Sequence, residues 1–221
     1  MSNGDRLVPV LIVGAGAMLT ASPYVIDTAP YEATMGLVQR IFYYHLPLAW
    51  TMMISALVCG AASAIYLFKR SERADHIAVA AAELTAVFGI LVLITGPLWA
   101  RKSWGVWWVW DARITSTFIM WMVFNSYLLL RRFGGAGSEV LAAAVGFFGM
   151  MLVPFIYWSV NMWRTLHPTT NVVPDLPTSM GVPVFFCWVA FSLLYVALLI
   201  TRMRLERSRS LLERAYRAAE D

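Results

Sequence analysis

Residues 104–113 read W-G-V-W-W-V-W-D-A-R, placing Trp104, Trp107, Trp108 and Trp110 in one short segment beside Asp111 and Arg113. Two apolar stretches flank it, about Ile77 to Trp99 and Ile114 to Leu130, each long enough to cross a bilayer. The segment, taken with its borders as residues 99–115, is therefore a loop at a membrane surface. An aromatic belt uses one or two indoles per helix end to anchor at the interface. Four in a turn-sized segment fit a platform for a flat, apolar ligand.

Working outward, four further apolar runs appear, about Leu7 to Ile26, His45 to Phe68, Val140 to Val160 and Gly181 to Ile200. The chain has 221 residues, 60% hydrophobic and 14% charged, with a mean hydropathy of +0.65. Soluble domains are about 45–50% apolar. The expected fold is therefore all-α: one polytopic membrane domain of six transmembrane helices over residues 1–200, followed by a basic helical tail over 201–221. Twelve cationic residues (Arg6, Lys69, Arg70, Arg73, Arg131, Arg132 and the six arginines after Ile200) fall on one side, against five on the other (Arg40, Arg101, Lys102, Arg113, Arg164). The positive-inside rule then puts both termini in the cytoplasm and the Trp-rich loop on the outer, periplasmic face, with the loops around 27–40 and 161–180. The first run is expected to be retained as a span rather than cleaved as a signal peptide. A net charge of +4 is accounted for by this distribution, with anionic lipid rather than nucleic acid as the partner of the arginine-rich tail.

Two of the three histidines share the face of the tryptophans. His45 opens the second span in I-F-Y-Y-H-L-P, and His167 lies beyond the fifth in N-M-W-R-T-L-H-P. His76 is at the inner end of the third span, about a bilayer thickness of 30 Å away, and reads as a solvated loop residue. Two imidazoles beside an indole cluster fit the axial ligands of a haem iron. The indoles would cover the macrocycle, and Arg113, Arg101, Lys102, Arg40 or Arg164 would pair with its propionates. Trp104, Trp107, Trp108 and Asp111 are spaced i, i+3, i+4, i+7, so a short interfacial helix would align them and send Trp110 elsewhere. Asp111 has three readings: cap of the following helix, second-shell partner of an imidazole, or ion pair with Arg113, the last being favoured.

Glu83 and Asn125 lie at similar depth and are expected to hydrogen-bond, Pro154 to kink the fifth span, and Cys59 and Cys187 to be buried small side chains. No Gly-rich phosphate loop and no Ser/His/Asp, Cys/His or paired-carboxylate constellation is evident. The chain is expected not to be an enzyme. An electron-transferring cytochrome would need histidines at two depths, whereas a permease subunit would use broken helices or intramembrane charges near the midplane, hinted at only by Pro154 and Glu83.

The segment W-G-V-W-W-V-W-D-A-R-I-T resembles the WWD domain of haem-handling membrane proteins. With Y-Y-H-L-P and N-M-W-R-T-L-H-P, the chain resembles the cytochrome c maturation C (CcmC) or haem exporter protein C family over nearly all six spans. The resemblance implies a bacterial inner-membrane protein that binds haem b transiently at the periplasmic face and hands it to the haem chaperone CcmE. It gives His45 and His167 the axial-ligand role, and Trp104, Trp107, Trp108, Trp110, Asp111 and Arg113 the haem-platform and chaperone-docking roles. It also implies the small subunit CcmD and an ABC-type complex of CcmA and CcmB as partners.

Overall fold

Inside a bilayer a backbone finds no water for its N–H and C=O groups, so an apolar chain closes those bonds within helices. The computed structural model describes residues 3–220, in which six α-helices and no strand occur. They are α1 Asn3–Asp27, α2 Phe42–Lys69, α3 Glu72–Ser103, α4 Ala112–Phe133, α5 Ser138–Met162 and α6 Thr178–Glu220. Short 3₁₀ turns at Leu37–Ile41 and Thr170–Val172 interrupt the α1–α2 and α5–α6 connections. Five of the helices, all but α4, are long and apolar enough to cross a membrane, and the chain is a multi-pass membrane protein. In α4, Thr115, Ser116, Thr117, Asn125 and Ser126 dilute the apolar residues.

Lipid tails are as apolar as leucine, so helices in a membrane hold together by close packing and interhelical hydrogen bonds. The bundle is organised around α2 and α3, which pack on each other most extensively. Ala78, Ala80, Ala81 and Ala82 of α3 are buried, and Ser55 of α2 donates to the Ala81 carbonyl at 2.8 Å. Gly146 of α5 lies under Ser63 and Tyr127, and Gly149 under Phe124. Trp121 of α4 donates its indole N–H to the Ala86 carbonyl of α3 at 3.0 Å, which ties α4 into the bundle. Cys59 and Cys187 are buried and unpaired with each other.

Three connections meet at one end of the bundle. Met35, from the α1–α2 connection, accepts on its sulfur from Trp99 Nε1 at 3.4 Å and Ser103 Oγ at 3.3 Å, both near the end of α3. Thr165, from the α5–α6 connection, donates to Asp111 at the start of α4. The opposite end is closed by ion pairs, Asp75 to Arg131 at 2.7 Å and Glu72 to Arg214.

Two sequence expectations are corrected at that opposite end. Glu83 does not bond Asn125; it pairs through both carboxylate oxygens with Arg202 of α6, while Asn125 donates to the Trp121 carbonyl one turn earlier at 2.8 Å. A guanidinium answers a carboxylate with two charge-assisted bonds, which an amide cannot match. His76 is not a solvated loop residue: it lies within α3, half-buried, with Nε2 2.9 Å from Ser210 Oγ. Both partners come from α6, which runs unbroken through position 200 for 43 residues, about 65 Å at 1.5 Å per residue, so the basic tail continues the last apolar helix.

A Cβ at Gly60 would lie 2.2 Å from Met150 Cβ, whereas one at Gly16 meets nothing. Gly60→Ala is expected to lower stability by roughly 1–3 kcal/mol through overpacking, and Gly16→Ala to leave it unchanged or slightly raised; thermal unfolding of the detergent-solubilised protein checks both.

Candidate functional site

His45 sits in the first turn of α2, 8% exposed. Its Nδ1 is 2.8 Å from Thr95 Oγ1 of α3. The Thr95 hydroxyl donates its own hydrogen to the Leu91 carbonyl at 2.8 Å, so towards His45 it can only accept. His45 is thereby held as the Nδ1–H tautomer, and Nε2 keeps a free lone pair. Gly96 leaves room for the imidazole against the α3 backbone, the nearest ring carbon being 3.4 Å from where its Cβ would be. The ring lies 5.9 Å from that of Trp99, and Trp99 lies 6.1 Å from Trp104, so an aromatic row leads from the histidine to the loop.

Trp104 to Asp111 form no helix. Gly105 adopts φ +77°, a left-handed conformation that ends α3, and Arg101 fixes the turn by donating to the Gly105 carbonyl at 2.7 Å. The i, i+3, i+4, i+7 helix expected from the spacing is therefore replaced by an irregular loop, yet Trp104, Trp107 and Trp108 all line one cavity. Trp110 does not. It packs edge-on against Trp108 at 5.4 Å and lies 6.4 Å from Phe118, with 72% of its surface exposed. Trp108 Nε1 is buried and has no hydrogen-bond partner.

Asp111 acts on both sides. One carboxylate oxygen accepts from the Ile114 N–H at 2.8 Å and caps α4; the other accepts from the Thr165 hydroxyl. Thr165 Oγ1 in turn accepts from the His167 N–H at 3.0 Å. The favoured ion pair with Arg113 is absent among the described residues, because both carboxylate oxygens are committed to these donors. His167 donates Nδ1–H to the Pro168 carbonyl at 2.9 Å, so it shares the tautomer of His45. Burial and the nearby Arg113 guanidinium push its pKa down to about 4, which keeps the imidazole neutral and Nε2 available for ligation.

His45 and His167 line the same cavity, together with Arg113 and the three inward indoles. A second cavity shares His45, Trp99, Arg113 and His167 with the first and extends towards Tyr157 and Val172. Arg113 thus lines both cavities together with the two imidazoles, and it makes no ion pair among the described residues. Arg40 is engaged elsewhere, with Asp27 at 2.6 Å and over the Tyr31 ring at 5.0 Å; Arg101 is the clamp on Gly105, and neither Lys102 nor Arg164 lines either cavity. Thr95 and Thr165 were missed from the sequence, where a threonine four residues before Trp99 or two before His167 carries no special signal.

The bundle with a cavity at its Trp-rich end defines a multi-pass membrane protein. The profile of the family described as "Heme exporter protein C" matches residues 1–218. The protein named heme exporter protein C from Bradyrhizobium diazoefficiens is 35% identical over 207 residues, covering 91% of this chain and 79% of that protein. The Escherichia coli K12 protein of the same name is 34% identical over 184 residues, covering 80% and 73%. A ccmC-like mitochondrial protein of cytochrome c biosynthesis from Marchantia polymorpha is 28% identical over 186 residues, covering 82% and 80%. The chain belongs to the haem exporter protein C family.

Removing the Asp111 carboxylate takes away the α4 cap and the tether to the His167 segment together. Asp111→Ala is expected to cost about 1 kcal/mol from the cap alone and to speed amide hydrogen exchange at Ile114 and around His167, with exchange at the α2–α3 core unchanged.

Proposed function

We propose that this member of a family engaged in haem delivery for cytochrome c maturation holds haem b as transient cargo between His45 and His167 and presents it to the haem chaperone CcmE. The observation that carries the proposal is the pairing of tautomers: two imidazoles distant in sequence line one cavity, each with Nδ1–H tied to an oxygen and Nε2 free. Cofactor sites are usually concave and mostly apolar with a few convergent polar groups; the walls of this cavity are made largely of Met52, Val92, Ile156 and indoles, with the two histidines and Arg113 as its polar groups. Four roles then follow for the side chains at the site. Arg113 pairs with a propionate. Trp108 Nε1, buried and unpartnered, donates to a cargo acceptor. Trp104 and Trp107 cover the ring, while Trp110, turned outwards, offers an indole surface to the chaperone.

In this proposal α4 completes six spans, since its 22 residues reach about 33 Å, and Ser116, Thr117, Asn125 and Ser126 return their hydrogen bonds to its own carbonyls. Both termini then face the cytoplasm of a bacterial inner membrane, and the Trp-rich loop faces the periplasm. The work is binding and presentation rather than bond-making by this chain. CcmD and the CcmA/CcmB complex are the proposed partners, the ATPase supplying energy that nothing in this sequence can. A permease reading loses its main support, because Glu83 is neutralised by Arg202.

Absorption spectra of purified variants test the proposal. His45→Ala and His167→Ala are each expected to lose most co-purified haem and the spectrum of the unmodified protein, and Trp108→Ala to weaken retention; unchanged spectra in both histidine variants would overturn it. Thr95→Val keeps the ligand but releases its tautomer, so haem affinity is expected to fall by roughly 10–100-fold, the usual effect of losing an outer-shell partner, as read by haem titration.

A further inference from the structure

We propose that the apolar groove between α5 and α6 is a lateral port through which haem reaches the site from the bilayer, an inference that rests on the haem reading above. The two helices both pack on α2 but scarcely on each other. The gap is an open, almost wholly apolar groove on the side of the bundle. Its floor is α2, with Trp50, Met53 and Leu57, and its two sides are aromatic: Tyr157 and Trp158 from α5, Phe185 and Trp188 from α6.

Continuity separates this groove from an ordinary lipid-facing surface. Trp50, Met53 and Tyr157 line both the groove and the second cavity at the site. That cavity in turn shares His45, Arg113 and His167 with the cavity under the tryptophans. Met53 borders all three spaces, and its unbranched thioether side chain can change rotamer at low cost, as a gate between them must. Rings step inwards along the α6 side: Phe185 lies 5.9 Å from Trp188, and Trp188 lies 6.4 Å from Trp50.

The sequence of surfaces suits the cargo. Haem is a flat apolar disc with two carboxylates on one edge, and it partitions into membranes. A passage for it needs faces that stack on a π-system and no charge until the end. The groove has no charged lining residue, and the path ends in the cavity that the Arg113 guanidinium shares with the two histidines. Because α2 carries both the floor of the groove and His45, one helix guides the ring and receives the iron.

A port controls rate and leaves equilibrium alone, which separates it from the site. Leu57 is 42% and Ile54 41% exposed on the groove floor, so Leu57→Trp and Ile54→Trp narrow the passage without entering the core. With each variant reconstituted in phosphatidylcholine vesicles and haem dissolved in the bilayer, growth of the haem absorption band is expected to be slower than in the unmodified protein, and release slower by the same factor. Final occupancy and spectrum stay those of the unmodified protein, and Phe185→Ala, which widens the mouth, loads at least as fast. Unchanged loading in both tryptophan variants overturns the port, and is the outcome expected if the groove seats a partner's helix. Slower loading with altered affinity and spectrum also overturns it. Failure of the unmodified protein to bind haem would instead overturn the site reading itself.

Discussion

The requirement that every backbone N–H and C=O in a bilayer be bonded within its own segment is the constraint from which the rest follows. It makes the apolar runs helical and expels irregular backbone to the ends of the bundle. The Trp-rich loop, the His167 segment and the α1–α2 connection are irregular, so they gather at one end. Chemistry that needs side chains from several of them is confined to that place. The long α2 and α3 supply the rigid part: His45, Thr95, Gly96 and Trp99 stand on helices, and the loops bring His167, Trp107 and Trp108 to them.

The site is held by hydrogen bonds that each do two things. Asp111 caps α4 and grips Thr165; Thr165 receives the His167 amide; Thr95 closes a bond onto its own helix and so becomes an acceptor for His45. Neither imidazole can turn without breaking a bond in a place of low dielectric, where an unmade bond is expensive. In the proposed haem site both imidazoles would thereby be oriented before cargo arrives, which would limit the ordering needed on binding.

Much of this was legible in the sequence because hydropathy and charge report directly on a membrane. The apolar runs fell on helices, with α3 and α6 each extending past their apolar stretches into charged segments that carry Glu72 and the arginines. His45, His167, Trp104, Trp107 and Trp108, singled out by residue type, line one cavity at one end of the bundle. What could not be read depended on long-range partners. Glu83 and Arg202 are 119 positions apart, as are none of the local pairs that spacing suggests. His45 meets Thr95 across 50 positions, and threonine is too common in helices to announce such a role. The loop failed as a helix for a local reason, the positive φ of Gly105, although its grouping of Trp104, Trp107 and Trp108 against Trp110 survived on different geometry.

The central claim is that both free Nε2 atoms bind one iron. Electron paramagnetic resonance of the ferric haem-loaded protein tests it directly, because ligand identity sets spin state and g values. The account predicts a low-spin spectrum of bis-imidazole type. A high-spin signal, or a low-spin signal of sulfur ligation, would contradict it.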